Sequence, residues 1–416
     1  MRSLAMTSDR SPPTIHDTNQ QGMLRRLALF GSAISRATVG GINPLTTQIQ
    51  ELRGPVEAVI EGRPTLLFGT NSYLGLNFHP DCQLASIEAI QRFGTGSTAS
   101  RVASGNHAGH EALEAQIARF YGRTDATVFS TGFMANLGVI SALARAGDAI
   151  FLDAHCHASI FDACKLSGAT VRTFRHNDAG DLETAFDTSE IFAARTLVVV
   201  EGLYSVWGDL ADLPPIVAVT CRRGGVLLVD EAHAMGVYGA KARGVAELQG
   251  VEKDIDIIIG TFSKSVGVIG GFCVTDRPEL QSLRFLARSY LYTASLPPAI
   301  VSAASTAIRL IATEPGLRER LWHNARLFHA GLQKLGFVLC ADPAPIGSVR
   351  LPGTAQGLAF WRALLERGVY VNLMVPPATP EGQVLLRFSL SAAHTVEQIE
   401  AGLAAFADTA RSLSIS

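Results

Sequence analysis

Between residues 126 and 274 the chain repeats one pattern: a short, continuous apolar run, a segment of helical spacing, then another run. The runs are 126–129, 149–152, 171–174, 196–200, 226–229, 255–259 and 272–274, and segments such as 134–145 between them place apolar residues at helical intervals. A strand that is apolar at every position leaves no face for water, so its sheet has to be covered on both sides. Strands of this kind separated by helices predict an α/β fold, a mostly parallel sheet flanked by helices.

The pattern changes after Pro297-Pro298. Two long helices are expected at 299–313 and 317–335, then short strands at 348–351, 369–372 and 385–390, with helices at 355–367 and 396–407. This reads as a smaller C-terminal α+β domain of about a hundred residues, an ordinary size. Ahead of the alternating region, a polar lead gives way to an amphipathic helix over 21–38 that Gly40-Gly41 breaks. The expected organisation is an N-terminal arm and helix (1–50), a large domain (51–296) and a small C-terminal domain (297–416).

Composition narrows the function classes. A net charge of −2 argues against a nucleic-acid partner, which calls for a basic excess. Residues 1–19 lack the apolar core of a signal peptide, and no uncharged apolar run approaches the ~18 residues that span a bilayer. None of Cys82, Cys156, Cys164, Cys221, Cys273 and Cys340 forms a C-x-x-C pair. Reduced thiols in a cytoplasmic protein are expected, rather than a zinc ribbon or redox motif.

Four stretches carry chemistry. Thr261-Phe262-Ser263-Lys264-Ser265-Val266-Gly267 follows a strand, which places Lys264 at a strand's carboxyl end, where open α/β sheets bind ligands. Small neighbours allow close approach, and partial burial lowers a lysine's basicity as Schiff-base chemistry requires. In Val226-Leu227-Leu228-Val229-Asp230-Glu231-Ala232-His233 a buried strand ends in an aspartate that suits a magnesium ion, a structural cap or a cationic ring. The phosphate-binding G-x-x-x-x-G-K-[ST] that would favour magnesium is absent. Coupled to Lys264, the ring reading is favoured: an ionised carboxylate keeps a pyridinium nitrogen protonated, with His233 reaching the ring's phenolic oxygen.

Ser130-Thr131-Gly132-Phe133-Met134-Ala135-Asn136 runs from a strand into a helix, and backbone N–H groups at such a start suit a phosphate. His155-Cys156-His157-Ala158-Ser159 has two histidines but no third ligand cluster, so no metal site is expected. Stacking of a flat imidazole, His157, on a flat ring is the better use. The glycine-rich Phe93-Gly94-Thr95-Gly96-Ser97 reads as a tight loop on the rim of the site.

Taken with Glu201-Gly202-Leu203-Tyr204-Ser205, these stretches stand in the order and spacing of the α-oxoamine synthases, which the chain resembles from about residue 44 to 407. Those are fold-type I pyridoxal 5'-phosphate enzymes that condense an amino acid with an acyl thioester and release CO2. The likeness is greatest to bacterial members that use serine and a long-chain acyl thioester, through Phe68-Gly69-Thr70, Tyr292-Thr293-Ala294-Ser295-Leu296-Pro297-Pro298, Val369-Tyr370-Val371-Asn372 and Pro376-Pro377-Ala378-Thr379-Pro380.

The resemblance implies that Lys264 carries the cofactor as a Schiff base, Asp230 holds the ring nitrogen and His157 stacks on the ring. It implies that His233 contacts the phenolic oxygen with Ser205 nearby, and that Gly132, Phe133, Thr261 and Ser263 hold ring and phosphate. Arg387 matches a carboxylate-binding arginine, and Asn71 and Ser72 stand near the substrate. It further implies a cytoplasmic homodimer with shared active sites, Thr293 and Ala294 reaching the partner's phosphate, and an acyl donor on coenzyme A or acyl carrier protein. Three positions depart from the family pattern: Phe133 for a frequent tyrosine, Ser72 for asparagine or aspartate, and Val375 for an arginine. Substrates such as glycine or alanine are the nearest alternative, and an aminotransferase, which shares the fold, is a further one.

Overall fold

The computed structural model describes residues 43–376, 379 and 382–415, together with 24, 25, 27 and 31. The chain divides into two compact units, Met1–Gln48 and Ile49–Ser416. In the first, Leu24, Arg25, Leu27 and Gly31 are helical, and the rest of the helix expected over 21–38 lies outside the described residues.

The second unit opens with strands that sequence reasoning did not propose: β1 (Glu51–Leu52), β2 (Glu57–Ile60) and β3 (Arg63–Leu67). β2 and β3 form an antiparallel hairpin around Glu61 and Gly62, both at positive φ. That backbone is the one a two-residue hairpin turn demands, so the Glu-Gly pair was the available signal. Helices α1 (Pro80–Phe93) and α2 (Ala108–Tyr121), also not proposed, follow and lead into the main sheet.

The main sheet consists of β4 (Asp125–Phe129), β5 (Ala149–Asp153), β6 (Thr170–Phe174), β7 (Thr196–Glu201), β8 (Val226–Asp230), β9 (Ile257–Thr261) and β10 (Gly271–Thr275). Its order is β4-β10-β9-β8-β7-β5-β6, and only β10 runs antiparallel to its neighbours. Every residue of β5, β7, β9 and β10 is buried. Helices α3 (Gly132–Leu143) and α4 (Ala158–Ser167) pack on it, Val139 and Ile160 meeting Ile150, Leu197, Leu228 and Ile257 in one core. Each such side chain contributes about 1.5–3 kcal/mol by leaving water.

Two expected strands differ in detail. The run at 255–259 becomes Ile257–Thr261, because Asp256 is spent on the Leu227 N–H and on Arg277 before the strand begins. The strand then continues through Gly260, where the Phe272 ring of β10 lies so close that a Cβ would meet it at 2.2 Å. The run at 369–372 splits at Val371. β12 (Val369–Tyr370) joins β3 in parallel, whereas β13 (Asn372–Met374) pairs with β14 (Val384–Ser389), which also pairs with β11 (Ile346–Leu351).

The C-terminal helices α5 (Pro298–Thr313), α6 (Pro315–Lys334), α7 (Thr354–Glu366) and α8 (Val396–Leu413) stand close to expectation, α8 running longer. The boundary expected at 296 is crossed twice: β12 extends the sheet of β1–β3, and α5 packs on α1 and α2. The strand split matters for the site. It brings Tyr370 and Asn372 against residues 68 and 69 through Phe68 N–H to Tyr370 O (2.8 Å) and Asn372 Nδ2 to Gly69 O (2.8 Å), which fixes the approach to Asn71 and Ser72.

Candidate active site

Parallel strands end at one edge, and here those ends are Asp153, Glu201, Asp230 and Thr261. A cavity of 240 Å³ opens beside the last three. Its walls bring together Gly132, Phe133, His157, Asp230, His233, Thr261, Ser263 and Lys264, all expected from the sequence. Asn136, Ser159 and Glu201 join them unforeseen.

Asp230 is buried and fully engaged. Asn136 Nδ2 donates to its Oδ2 at 2.7 Å and the Ala232 N–H to its Oδ1 at 2.9 Å. Asn136 also bonds Ser159 Oγ at 3.1 Å, while its own Oδ1 is buried without a partner. Both carboxyl oxygens thus accept from neutral N–H dipoles, with no protein cation bonded to them among the described residues. Lys264 stands on the next strand's loop. Burial lowers its pKa to about 8 against the pull of Asp230 and Glu201.

Glu201 and Asp230 are register partners on neighbouring strands. Glu201 accepts the His157 N–H, so this carboxyl sets where the His157 loop begins. Burial first, then the Asp230 charge, pushes the Glu201 pKa well above the ordinary carboxylate range, and Lys264 pulls only partly against them. Its strand reaches one residue past the apolar run, which is why the sequence pattern at 196–200 stopped short of it. His157 caps α4, its Nδ1 2.8 Å from Ser159 Oγ. Burial, reinforced by Lys264, lowers the His157 pKa although Asp230 opposes them.

His233 is paired with a residue no local pattern could indicate: its Nδ1 lies 2.7 Å from the Tyr73 hydroxyl, across 160 positions of sequence. Burial, with the Lys264 and Arg387 charges behind it, pushes the His233 pKa well below the usual value, and burial pushes Tyr73 up. A neutral imidazole facing an intact phenol results. When the phenol donates to Nδ1, the ring's proton is on Nε2.

The start of α3 forms a cradle. Thr131 caps it, taking the Met134 N–H on its hydroxyl (3.0 Å) and the Ala135 N–H on its carbonyl (3.0 Å). The N–H groups of Gly132 and Phe133 have no partner inside the helix and carry its positive end. A Cβ at position 132 would sit 2.9 Å from Thr261 Cβ, so glycine alone permits this approach to β9. Thr261 Oγ1 and Ser263 Oγ, 2.9 Å apart, add hydroxyls at the same place. Lysine, fixed carboxylate and anion cradle suit the aldehyde, ring nitrogen and phosphate of pyridoxal phosphate, and Phe133 offers an exposed aromatic face beside them.

Arg387 is reached through its neighbours. Its Nε donates to the Ser205 carbonyl at 2.6 Å and its Nη2 to Asn71 Oδ1 at 3.2 Å. Arg387 as a residue is only 7% exposed, and its guanidinium meets no carboxylate among the described residues. Ser205 acts here through its backbone, and neither it nor Arg387, Asn71 or Ser72 is part of the cavity wall. Ser72 is spent on Asn77, Oγ to Oδ1 at 2.6 Å.

Thr293 and Ala294 lie outside the cavity, in a narrow cleft with Arg101, Ser130 and Tyr290. The loop at 93–97, expected on the rim, sits with them: Ser97 Oγ donates to Ser295 O at 2.8 Å. Val375 follows β13, but Pro377, Ala378 and Pro380 fall outside the described residues.

Residues 63–406 match the model of the aminotransferase class I and II family. A serine palmitoyltransferase of Caulobacter vibrioides is 48% identical over 375 residues, 90% of this chain and 93% of that protein. An 8-amino-7-oxononanoate synthase of Methylococcus capsulatus is 43% identical over 362 residues, 87% of this chain and 93% of that protein. Among solved structures, a high-resolution structure of SPT with PLP internal aldimine superposes with a TM-score of 0.89 at 42% identity, covering 97% of this chain and 100% of its own.

Proposed function

The chain belongs to the aminotransferase class I and II family and, within it, to the α-oxoamine synthases, and from that premise we propose that it condenses L-serine with a long-chain acyl thioester. CO2 and the free thiol leave, and the product is an α-amino ketone, 3-ketosphinganine for a palmitoyl donor. Arg387 carries this reading: a buried guanidinium without an acidic partner among the described residues, near enough for its charge to act on His233 and Lys264. A buried, unpaired charge is costly, and an amino-acid carboxylate completes it with charge-assisted hydrogen bonds.

Pyridoxal phosphate, when bound, supplies an aldehyde that condenses with amines and a ring that accepts electrons from the amino acid's α-carbon. The Gly132 and Phe133 N–H groups with Thr261 and Ser263 would hold its phosphate. Asp230, oriented by Asn136 and the Ala232 N–H, would keep the ring nitrogen protonated. His157, braced by Ser159, presents the flat ring for stacking, and His233, braced by Tyr73, presents a neutral N–H for the phenolic oxygen. Lys264, with a pKa of about 8, has a neutral fraction at physiological pH that removes the α-proton at Nζ. Arg387 and Asn71 orient the carboxylate meanwhile.

The working unit in this reading is a cytoplasmic homodimer with shared active sites. Its support is an exposed apolar side of α1, with Leu84, Ile87, Ile90 and Phe93, and the position of Thr293 and Ala294 outside their own chain's cavity. Among the described residues no helix is long and apolar enough to cross a membrane. Coenzyme A or acyl carrier protein delivers the acyl group.

One observation favours a second amino acid. The relative named for 8-amino-7-oxononanoate makes a product whose amine-bearing carbon carries a methyl group, which is the skeleton of alanine. The deciding experiment supplies cofactor-loaded protein with each standard amino acid and one long-chain acyl-CoA, and measures amino ketone and CO2. L-Serine should lead. A preference for alanine or glycine of about tenfold or more, ~1.4 kcal/mol in transition-state binding, overturns the serine reading and leaves the condensation chemistry standing.

A further inference from the structure

Behind the cavity lies a second cluster of titratable groups that none of the steps above uses. Asp153, the last residue of β5, is fully buried. Its Oδ1 accepts from His176 Nδ1 (2.8 Å) and from the His155 N–H (2.8 Å), and its Oδ2 from the Asn177 N–H (2.9 Å). On the far side, His176 Nε2 meets Asp209 Oδ2 at 2.7 Å. With a carboxylate on each ring nitrogen, both nitrogens donate, so the imidazole is a cation. His155 stacks on it at 4.0 Å and Tyr204 meets it edge-on at 4.4 Å. Asn177 doubles the strap through Nδ2 to Leu210 O (2.9 Å) and the Asp212 N–H to its Oδ1 (3.0 Å).

What the strap holds is the turn at 204–209. That turn closes on itself through Tyr204 N–H to Asp209 O and Gly208 N–H to Tyr204 O, both 2.9 Å. Its outer edge is the seam with the three-stranded sheet: Ser205 O accepts Arg387 Nε, Val206 O accepts the Ser348 hydroxyl, and a Cβ on Gly208 would lie 2.4 Å from Ile346 O. One face of the turn is therefore pinned to the tip of β5 and the other carries the guanidinium. Asp153, His176 and Asp209 do not line the cavity, and what joins them to Arg387 is the turn, through Asp209 at one end and the Ser205 carbonyl at the other.

We propose that His176 is a positioning residue for recognition of the substrate carboxylate: the Asp153–His176–Asp209 bridge fixes the 204–209 turn, whose Ser205 carbonyl aims Arg387. This rests on the reading of Arg387 as the carboxylate-binding group. Removing the imidazole frees the turn, and Arg387 then samples orientations that do not meet the carboxylate. The effect belongs to amino-acid binding and leaves acyl transfer and cofactor retention alone.

The test compares His176→Gln, Asp209→Asn and Arg387→Ala in the full-length, cofactor-loaded protein. His176→Gln should raise the L-serine KM and the Kd from equilibrium titration by about tenfold, with kcat within about threefold and the acyl-CoA KM unchanged. Asp209→Asn keeps an acceptor for Nε2 and should shift KM less, which also covers the case in which His176→Gln fails to fold. Amide hydrogen exchange at 203–209, measured without substrate, should quicken in His176→Gln and stay near wild type in Asp209→Asn. A loss of kcat and of cofactor in step with KM, or a KM unmoved in a folded variant, overturns the proposal. If Arg387→Ala itself leaves serine binding intact, the functional reading beneath it fails instead.

Discussion

The floor of the cavity and the arm that holds Arg387 are built in opposite ways. Glu201, Asp230 and Lys264 come from neighbouring strands of one sheet, and register alone sets two of them side by side. Asn71, Ser205 and Arg387 come from segments up to 316 residues apart, and the arginine stands on β14 of a different sheet. The floor is thus as rigid as the buried core under it, whereas the arm depends on single hydrogen bonds across a seam. Chemistry belongs on the first and selectivity is adjustable on the second.

The largest expected effect tests the floor. Lys264→Ala should abolish amino-ketone formation, and borohydride should no longer fix the cofactor irreversibly to the protein, as it should in wild type. Product at near wild-type rate would sink the assignment. Next, Asp230→Asn keeps shape and loses charge. It should retain cofactor and lose about 100-fold or more in kcat, the scale of a key electrostatic group. Loss below about threefold would reduce Asp230 to a cap on β8.

The arm should respond in binding rather than turnover. Arg387→Ala removes a charge-assisted contact worth about 1.5–3 kcal/mol, so the serine KM should rise roughly tenfold to a hundredfold. A fall in kcat with KM unchanged would erase the contrast between arm and floor. Glu201→Gln then divides the two carboxyls of the floor. Burial and the Asp230 charge push the Glu201 pKa well above the carboxylate range and so favour its neutral form. A neutral glutamine that still accepts the His157 N–H should lower kcat by less than about fivefold, far below the loss for Asp230→Asn. Equal losses would show that Glu201 works as an anion.

The same contrast explains what the sequence disclosed. A floor residue ends a buried strand or opens the helix after it, so Asp230, Lys264 and Gly132 could be named from a few neighbours. Glu201 escaped because its strand runs one residue beyond the apolar run, and Asn136 because a buried asparagine on α3 looks like any polar helix residue until Asp230 stands opposite. The arm offers no local sign. Arg387 sits in an ordinary strand and was identified by family resemblance alone, and Tyr73 gains its role through His233, 160 positions away. The hairpin at 57–67 was overlooked although Glu61-Gly62 marks its turn, since no long apolar run flanks it. Thr293 and Ala294 came with the resemblance, and a single chain gives them no place in its own cavity.

The smallest effect concerns the joint between the two regions, and it is read in stability. Burial alone would lower the His176 pKa, but the hydrogen bonds to Asp153 and Asp209 outweigh it and raise it from 6.5 to about 9. A pKa raised on folding means that the folded chain binds the proton more tightly. The stabilisation is then complete below about 6.5, declines as pH rises toward 9, and is gone above it. Because the ring is partly open to solvent, screening reduces the contribution to the order of 1–2 kcal/mol. Lys264 and Glu231 also titrate in this window, with pKa values of about 8 and 7, so wild type alone cannot isolate the bridge. The difference in unfolding free energy between wild type and His176→Gln can, since both proteins keep those groups. That difference should shrink by about 1–2 kcal/mol between pH 6 and pH 10. A constant difference would mean that His176 spaces two loops as a neutral ring, and that the arm is joined to the floor by shape rather than by charge.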